Sequence, residues 1–104
     1  MKNSQIAEFF VLRDLEKEQE LNGSHFFIKG NTIYSYGFHF PIAVKLKDGF
    51  LFNCDRYSIT TAKHKGLVKR AIGSNFLIEL NTAKLKEIIN SNIQSIKEIV
   101  MEKL

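Results

Sequence analysis

Two turn signatures, Gly30-Asn31 and Asp48-Gly49, constrain the fold of this chain more than any other feature. The first separates residues 24–29 from 32–36, and the second separates 42–47 from 50–54. A two-residue connection built from Gly, Asn or Asp tolerates positive φ and matches the twist of paired strands. Two antiparallel hairpins are therefore expected. In the third strand Ile42, Val44 and Leu46 alternate with Ala43, Lys45 and Lys47, the period-2 pattern of a half-buried strand. Phe50 and Phe52 continue an apolar face in the fourth. Nine of the twelve aromatic residues fall between Phe26 and Tyr57. Aromatic side chains suit strands, so the sheet belongs there. The segment Gly37-Phe38-His39-Phe40-Pro41 joins the hairpins. Pro41 holds Phe40 extended, which puts Phe38 and Phe40 on one side and His39 on the other.

Helices are expected on either side of this block. Ile6, Phe9, Phe10, Leu12 and Leu15 follow helical spacing within residues 4–21. Asn3 or Ser4 can cap that helix, and Asn22-Gly23 can stop it. Its polar second half, Glu16 to Glu20, is expected in solvent. Residues 60–72 read as a short helix with Leu67, Val68, Ala71 and Ile72 as its stripe, ended by Gly73. Phe76 to Leu80 has the length of a strand. A final helix opens at Asn81 or Thr82, with Leu85, Ile88, Ile89, Ile93, Ile96, Val100 and Leu104 on one face. Such a stripe is core, or else a surface for homodimerisation through the C-terminal helix. The expected order is α-ββ-ββ-α-β-α: an α+β domain with a mostly antiparallel sheet and helices packed on one face.

A chain of 104 residues with 44% apolar content supports one globular domain, residues 1–104. Cys54 is the only cysteine, so no internal disulfide is possible, and a small buried filler is its expected role. No apolar run approaches the ~20 residues that span a bilayer. The first residues, with Glu8 and Asp14 close behind, lack the pattern of a secretion signal. A soluble cytoplasmic protein without membrane association is expected.

The formal net charge of +4 is unevenly placed. Residues 1–24 carry three basic and five acidic groups, and residues 25–57 carry four and two. Residues 74–104 balance at four of each. Lys63, Lys65, Lys69 and Arg70 stand in residues 58–73 with no acid among them. A basic block of this kind suits an anionic partner. By helical spacing these four are expected to face outward.

That block opens in Asn53-Cys54-Asp55-Arg56-Tyr57-Ser58-Ile59-Thr60-Thr61-Ala62-Lys63-His64. Ser58, Thr60 or Thr61 supplies an N-cap oxygen, and the free first-turn N–H groups with Lys63 form a candidate phosphate site. Nucleic-acid binding would use Ser58, Thr60, Thr61, Lys63, Lys65, Lys69 and Arg70, with Tyr34, Tyr36 or Tyr57 stacking on bases. His64 shares the stripe of Leu67 and Val68 and should point partly inward. If His39 adjoins it, the two histidines form an acid–base pair for phosphodiester cleavage, a weaker reading. Metal binding by His39, Cys54, Asp55 and His64 is weaker again, because no ligand pair has metal spacing. No Gly-rich phosphate loop or hydrolase motif is present, so no cofactor is expected and an enzyme is the lesser expectation.

Two stretches carry a resemblance: Tyr36, Gly37, His39, Phe40, Pro41, Ile42 and Ala43, then Tyr57, Ser58, Thr60, Thr61 and His64. The pattern Y-G-x-H-F-P-I-A followed by Y-S-x-T-T-x-x-H resembles an uncharacterised family of small phage and plasmid proteins. It covers roughly residues 34–68. The resemblance implies an accessory protein of a mobile element, with nucleic acid or a host nucleoprotein complex as partner. An inhibitor of host defence of the anti-CRISPR type is the alternative within that context. No catalytic residue is implied.

Overall fold

The computed structural model describes residues 2–13, 21–22, 25–91 and 93–102. The elements run α1 (Asn3–Leu12), β1 (Leu21–Asn22), β2 (Phe26–Lys29), β3 (Thr32–Ser35), β4 (Pro41–Leu46), β5 (Gly49–Asn53), α2 (Ile59–Ile72), β6 (Leu77–Leu80), α3 (Thr82–Ile89) and α4 (Ile96–Glu102). The six strands lie in sequence order. Neighbours from β1 to β5 are antiparallel, and β6 joins β5 in parallel across the α2 crossover. The α+β class, the single domain and both hairpins match expectation.

The first hairpin turns at Gly30-Asn31, with Lys29 opposite Thr32. The second turns one residue early, at Lys47-Asp48, because Leu46 pairs with Gly49. Between β3 and β4 the register slips, since Ile33 faces Ala43 while Tyr34 faces Pro41. Ile42 is the extra residue, and the bulge lets both Ile42 and Ala43 join one core.

Helices cover both faces of the sheet, which corrects the expectation of one. Phe10 of α1 packs on Phe50, and Val68 and Ile72 of α2 complete that core. Leu51 points the other way, toward Val44, Leu46, Leu85, Ile88, Ile96 and Ile99. Alternation along β5 divides the two cores. Lys45 lies on the α1 face rather than in water. Its ammonium donates to the carbonyls of Val11 and Arg13, each at 2.6 Å.

Those contacts explain where α1 ends. The helix expected over 4–21 stops at Leu12, and Arg13 is extended at φ −66°, ψ 156°. The Arg13 guanidinium donates to the Gly30 carbonyl. A tertiary cation, Lys45, thus takes up carbonyls at the end of α1. Leu21, expected at the helix end, pairs with Ile28 instead. Glu16, Glu18 and Glu20 lie outside the described residues. At the start, Lys2 N–H donates to Gln5 Oε1 at 2.9 Å, and neither Asn3 nor Ser4 caps.

The C-terminal stripe is broken into two helices. Asn81 caps α3, and the Asn90-Ser91 turn ends it. Asp48 then caps α4, accepting from Ile96 N at 2.6 Å and Lys97 N at 3.1 Å. Leu85, Ile88, Ile96 and Ile99 are core, Ile89 and Ile93 pack against it, and Val100 is half exposed. Leu104 lies outside the described residues. No helix among the described residues is long and apolar enough to cross a membrane.

Candidate functional site

The two motif stretches meet where β3, the 36–40 loop and the start of α2 come together. Ser58 is the N-cap of α2, and its Oγ accepts from Thr61 N at 3.0 Å. Thr61 is fully buried, and its hydroxyl lies 3.2 Å from Ser35 Oγ. Ser35 Oγ lies 2.7 Å from His64 Nδ1. His64 Nε2 sits 3.5 Å from the Asn3 amide nitrogen of α1. Thr61, Ser35 and His64 at the middle of this chain are buried, so each needs its polar partner. Thr61 is thereby committed to the interior, while Thr60 is exposed.

His64 stacks on Phe26 with ring centroids 4.7 Å apart. Burial, then the charge of His25, hold its pKa below the ordinary 6.5. With Asn3 donating to Nε2, the neutral ring carries its proton on Nδ1 and donates to Ser35, an assignment made from the network. The folded state therefore binds this proton less readily than the unfolded chain. Stability is full above the unfolded pKa and falls as pH drops through and below it, until the folded pKa is passed. Thermal melts from about pH 7.5 to about pH 5 should show that loss, and His64→Gln should flatten the slope. A variant with the same slope as the parent would remove His64 as its source.

Two neighbours hold left-handed backbone without being glycine. His25 has φ 61° and Tyr36 has φ 63°, and Tyr36 N–H donates to the His25 carbonyl at 2.9 Å. Their rings stack at 4.7 Å, and Tyr36 lies 6.1 Å from His64. Neither Asn3, His25 nor Ser35 carries a sequence signal for this cluster, because each arrives from a different element.

His39 takes another partner. Its Nε2 lies 3.1 Å from the Tyr57 hydroxyl, and the rings meet edge-on at 5.5 Å. No hydrogen bond or ring contact among the described residues joins His39 to His64. Phe40, 3% exposed, backs Tyr57 at 5.3 Å, while Tyr57 itself is 58% exposed. Phe38 is also largely exposed, so the pair expected on one face is split by the turn at 38–39. Tyr34 is buried, stacked on Phe27 and met edge-on by Phe38, so it offers no open ring face.

Arg56, Tyr57, Ser58, Ile59, Ala62 and Lys65 line a groove of about 570 Å³. A lock on one side positions it. Asn53, fully buried, donates to the Pro41 carbonyl at 2.7 Å and Thr82 Oγ1 at 2.9 Å, and accepts from Asp55 N at 2.8 Å. Asp55 Oδ2 accepts from Thr82 N at 2.8 Å, a bond that lowers its pKa. Lys65 donates to the Asp55 carbonyl at 2.8 Å and lies over Phe52, so it is not the outward residue expected. Burial lowers its pKa. Lys69 reaches Glu79 at 3.5 Å across a second hollow of about 270 Å³ that Lys65 also lines. Lys63 and Arg70 are exposed. Cys54, expected buried, is exposed in that second hollow.

Asp55, His39 and His64 each serve a different partner. No three metal-ligating side chains converge among the described residues. Comparison with protein-family models, curated proteins and solved structures finds no match for this chain.

Proposed function

We propose that this chain is a non-enzymatic accessory protein of a mobile element that binds nucleic acid through α2 and the groove at its start. One observation carries the reading: Arg56, Lys65 and the exposed Tyr57 line a single groove with no carboxylate among its lining residues. Lys63 and Arg70 extend the positive surface along the same helix. The mobile-element context rests on the motif resemblance alone. Cations that neutralise phosphates release counterions, so affinity should fall steeply with salt.

Fluorescence anisotropy with labelled oligonucleotides at rising salt tests this. Lys63→Glu with Arg70→Glu is the informative variant, because both side chains are exposed and neither makes a hydrogen bond among the described residues. Lys65 is a poor target, since changing it would disturb the bond to the Asp55 carbonyl. The expected result is at least ~10-fold weaker binding and a log–log salt slope shallower by ~0.7–0.9 for each phosphate no longer neutralised. Binding that is indifferent to the double change removes the proposal.

The inhibitor reading has one observation of its own. Ile59 is 81% exposed beside Tyr57, an apolar pair suited to a protein contact. Ile59→Asp should then abolish capture of a host defence complex, whereas Lys63→Glu with Arg70→Glu should leave that capture intact while weakening oligonucleotide binding. A nuclease would need His39 and His64 to reach one phosphate, and their hydrogen bonds tie them to different partners.

A further inference from the structure

We infer that the groove at the start of α2 takes an unpaired base, so that the nucleic acid bound is single-stranded. This rests on the nucleic-acid reading and narrows it. Tyr57 is exposed yet held: His39 fixes its hydroxyl and Phe40 backs its ring. An open ring already fixed in place loses little conformational freedom when something stacks on it. A base inside a duplex keeps its faces in its own stack, whereas an unpaired base has a face to offer.

The groove fits such an occupant. Its volume of about 570 Å³ lies within the range, about 300–1,000 Å³, of pockets that enclose small ligands. Ile59 and Ala62 contribute apolar lining and Ser58 a polar one. Arg56, exposed, and Lys65, half-buried, are the cations among its lining residues. Arg56 makes no hydrogen bond or ion pair among the described residues, and its planar guanidinium suits phosphate. The Lys65 ammonium spends one donor on the Asp55 carbonyl and keeps two. Of the neighbouring acids, Glu79 pairs with Lys69 in the other hollow and the Asp55 carboxylate accepts from Thr82 N, and neither is among the groove's lining residues.

The test compares single-stranded and duplex oligonucleotides of equal length by anisotropy, with the parent chain, Tyr57→Ala, Tyr57→Leu and Tyr57→Phe. The parent should favour the single strand by about 5-fold or more. Tyr57→Ala and Tyr57→Leu should each weaken single-strand binding by roughly 5- to 150-fold while leaving duplex binding and the salt slope unchanged. The Leu variant keeps bulk against Phe40, so its loss cannot be assigned to a collapsed fold. Tyr57→Phe should stay within about 3-fold of the parent, because the π face remains. Equal or tighter duplex binding by the parent, or undiminished single-strand binding by the Leu variant, overturns the inference. In either case the phosphate reading still stands if Lys63→Glu with Arg70→Glu weakens binding. Absence of any binding by the parent removes both.

Discussion

Gly49→Ala is expected to lower the melting temperature by roughly 10–20 °C. Gly49 opens β5 at φ 156°. A Cβ there would lie 2.7 Å from the Phe76 carbonyl oxygen and 2.8 Å from Ile96 Cδ1. The oxygen cannot retreat freely, because it accepts from Phe50 N at 2.8 Å and anchors the start of the β5–β6 ladder. Overpacking costs about 1–3 kcal/mol, and forcing a side chain onto this backbone adds a similar amount. Gly30→Ala is the control. Its φ of 61° is also positive, yet an added Cβ meets nothing within 4 Å. Circular dichroism melts of the two variants separate conformational strain from steric contact. If Gly49→Ala melts no lower than Gly30→Ala, the close approach is not what requires glycine here.

Replacing Asn53 by Leu should cost on the order of 3 kcal/mol, again visible as a large drop in melting temperature. Leucine has a similar volume, so the effect isolates the polar contacts. It strands the buried Pro41 carbonyl, worth about 1–3 kcal/mol when left unpaired, and removes the acceptor of the part-buried Asp55 N–H. It also frees the 54–58 segment from α3, since Asp55 reaches Thr82 from a position that Asn53 sets. That segment carries Arg56 and Tyr57. The variant should therefore bind oligonucleotides less well even at temperatures where it is folded. Unaltered affinity in a folded Asn53→Leu chain would disconnect this lock from the groove.

Both residues show how much could be read before the fold was known. Asp48-Gly49 marks a hairpin, and a hairpin forms there. The glycine is needed for another reason, the approach of β6 and α4 to the strand edge. Asp48, read as a turn residue, also caps α4 from 48 residues away. Asn53 carries no signal beyond being polar at a strand end. Its importance comes from Pro41 and Thr82, which no local pattern links to it. The same holds for His64. Helical spacing turned it inward correctly, but the expectation of a partner histidine failed to anticipate Ser35 and Asn3. Of the three candidate stacking tyrosines, Tyr57 and Tyr36 have exposed rings and Tyr34 is core. Composition cannot separate them, because exposure is a property of the neighbours.

Local rules determined the hairpins, the α2 and α3 starts and the concentration of positive charge on one helix. Turn chemistry, caps and periodicity act over a few residues, so their record lies in the chain itself. Tertiary structure decided the rest. It ended α1 at Leu12 by bringing Lys45 and Gly30 to its last turn. It split the C-terminal stripe and set helices on both sheet faces. It divided the basic block, holding Lys65 and Lys69 against Phe52 while Lys63 and Arg70 stand outward. Each of these outcomes depends on a group far away in sequence, and burial gives such a contact enough weight to override local preference.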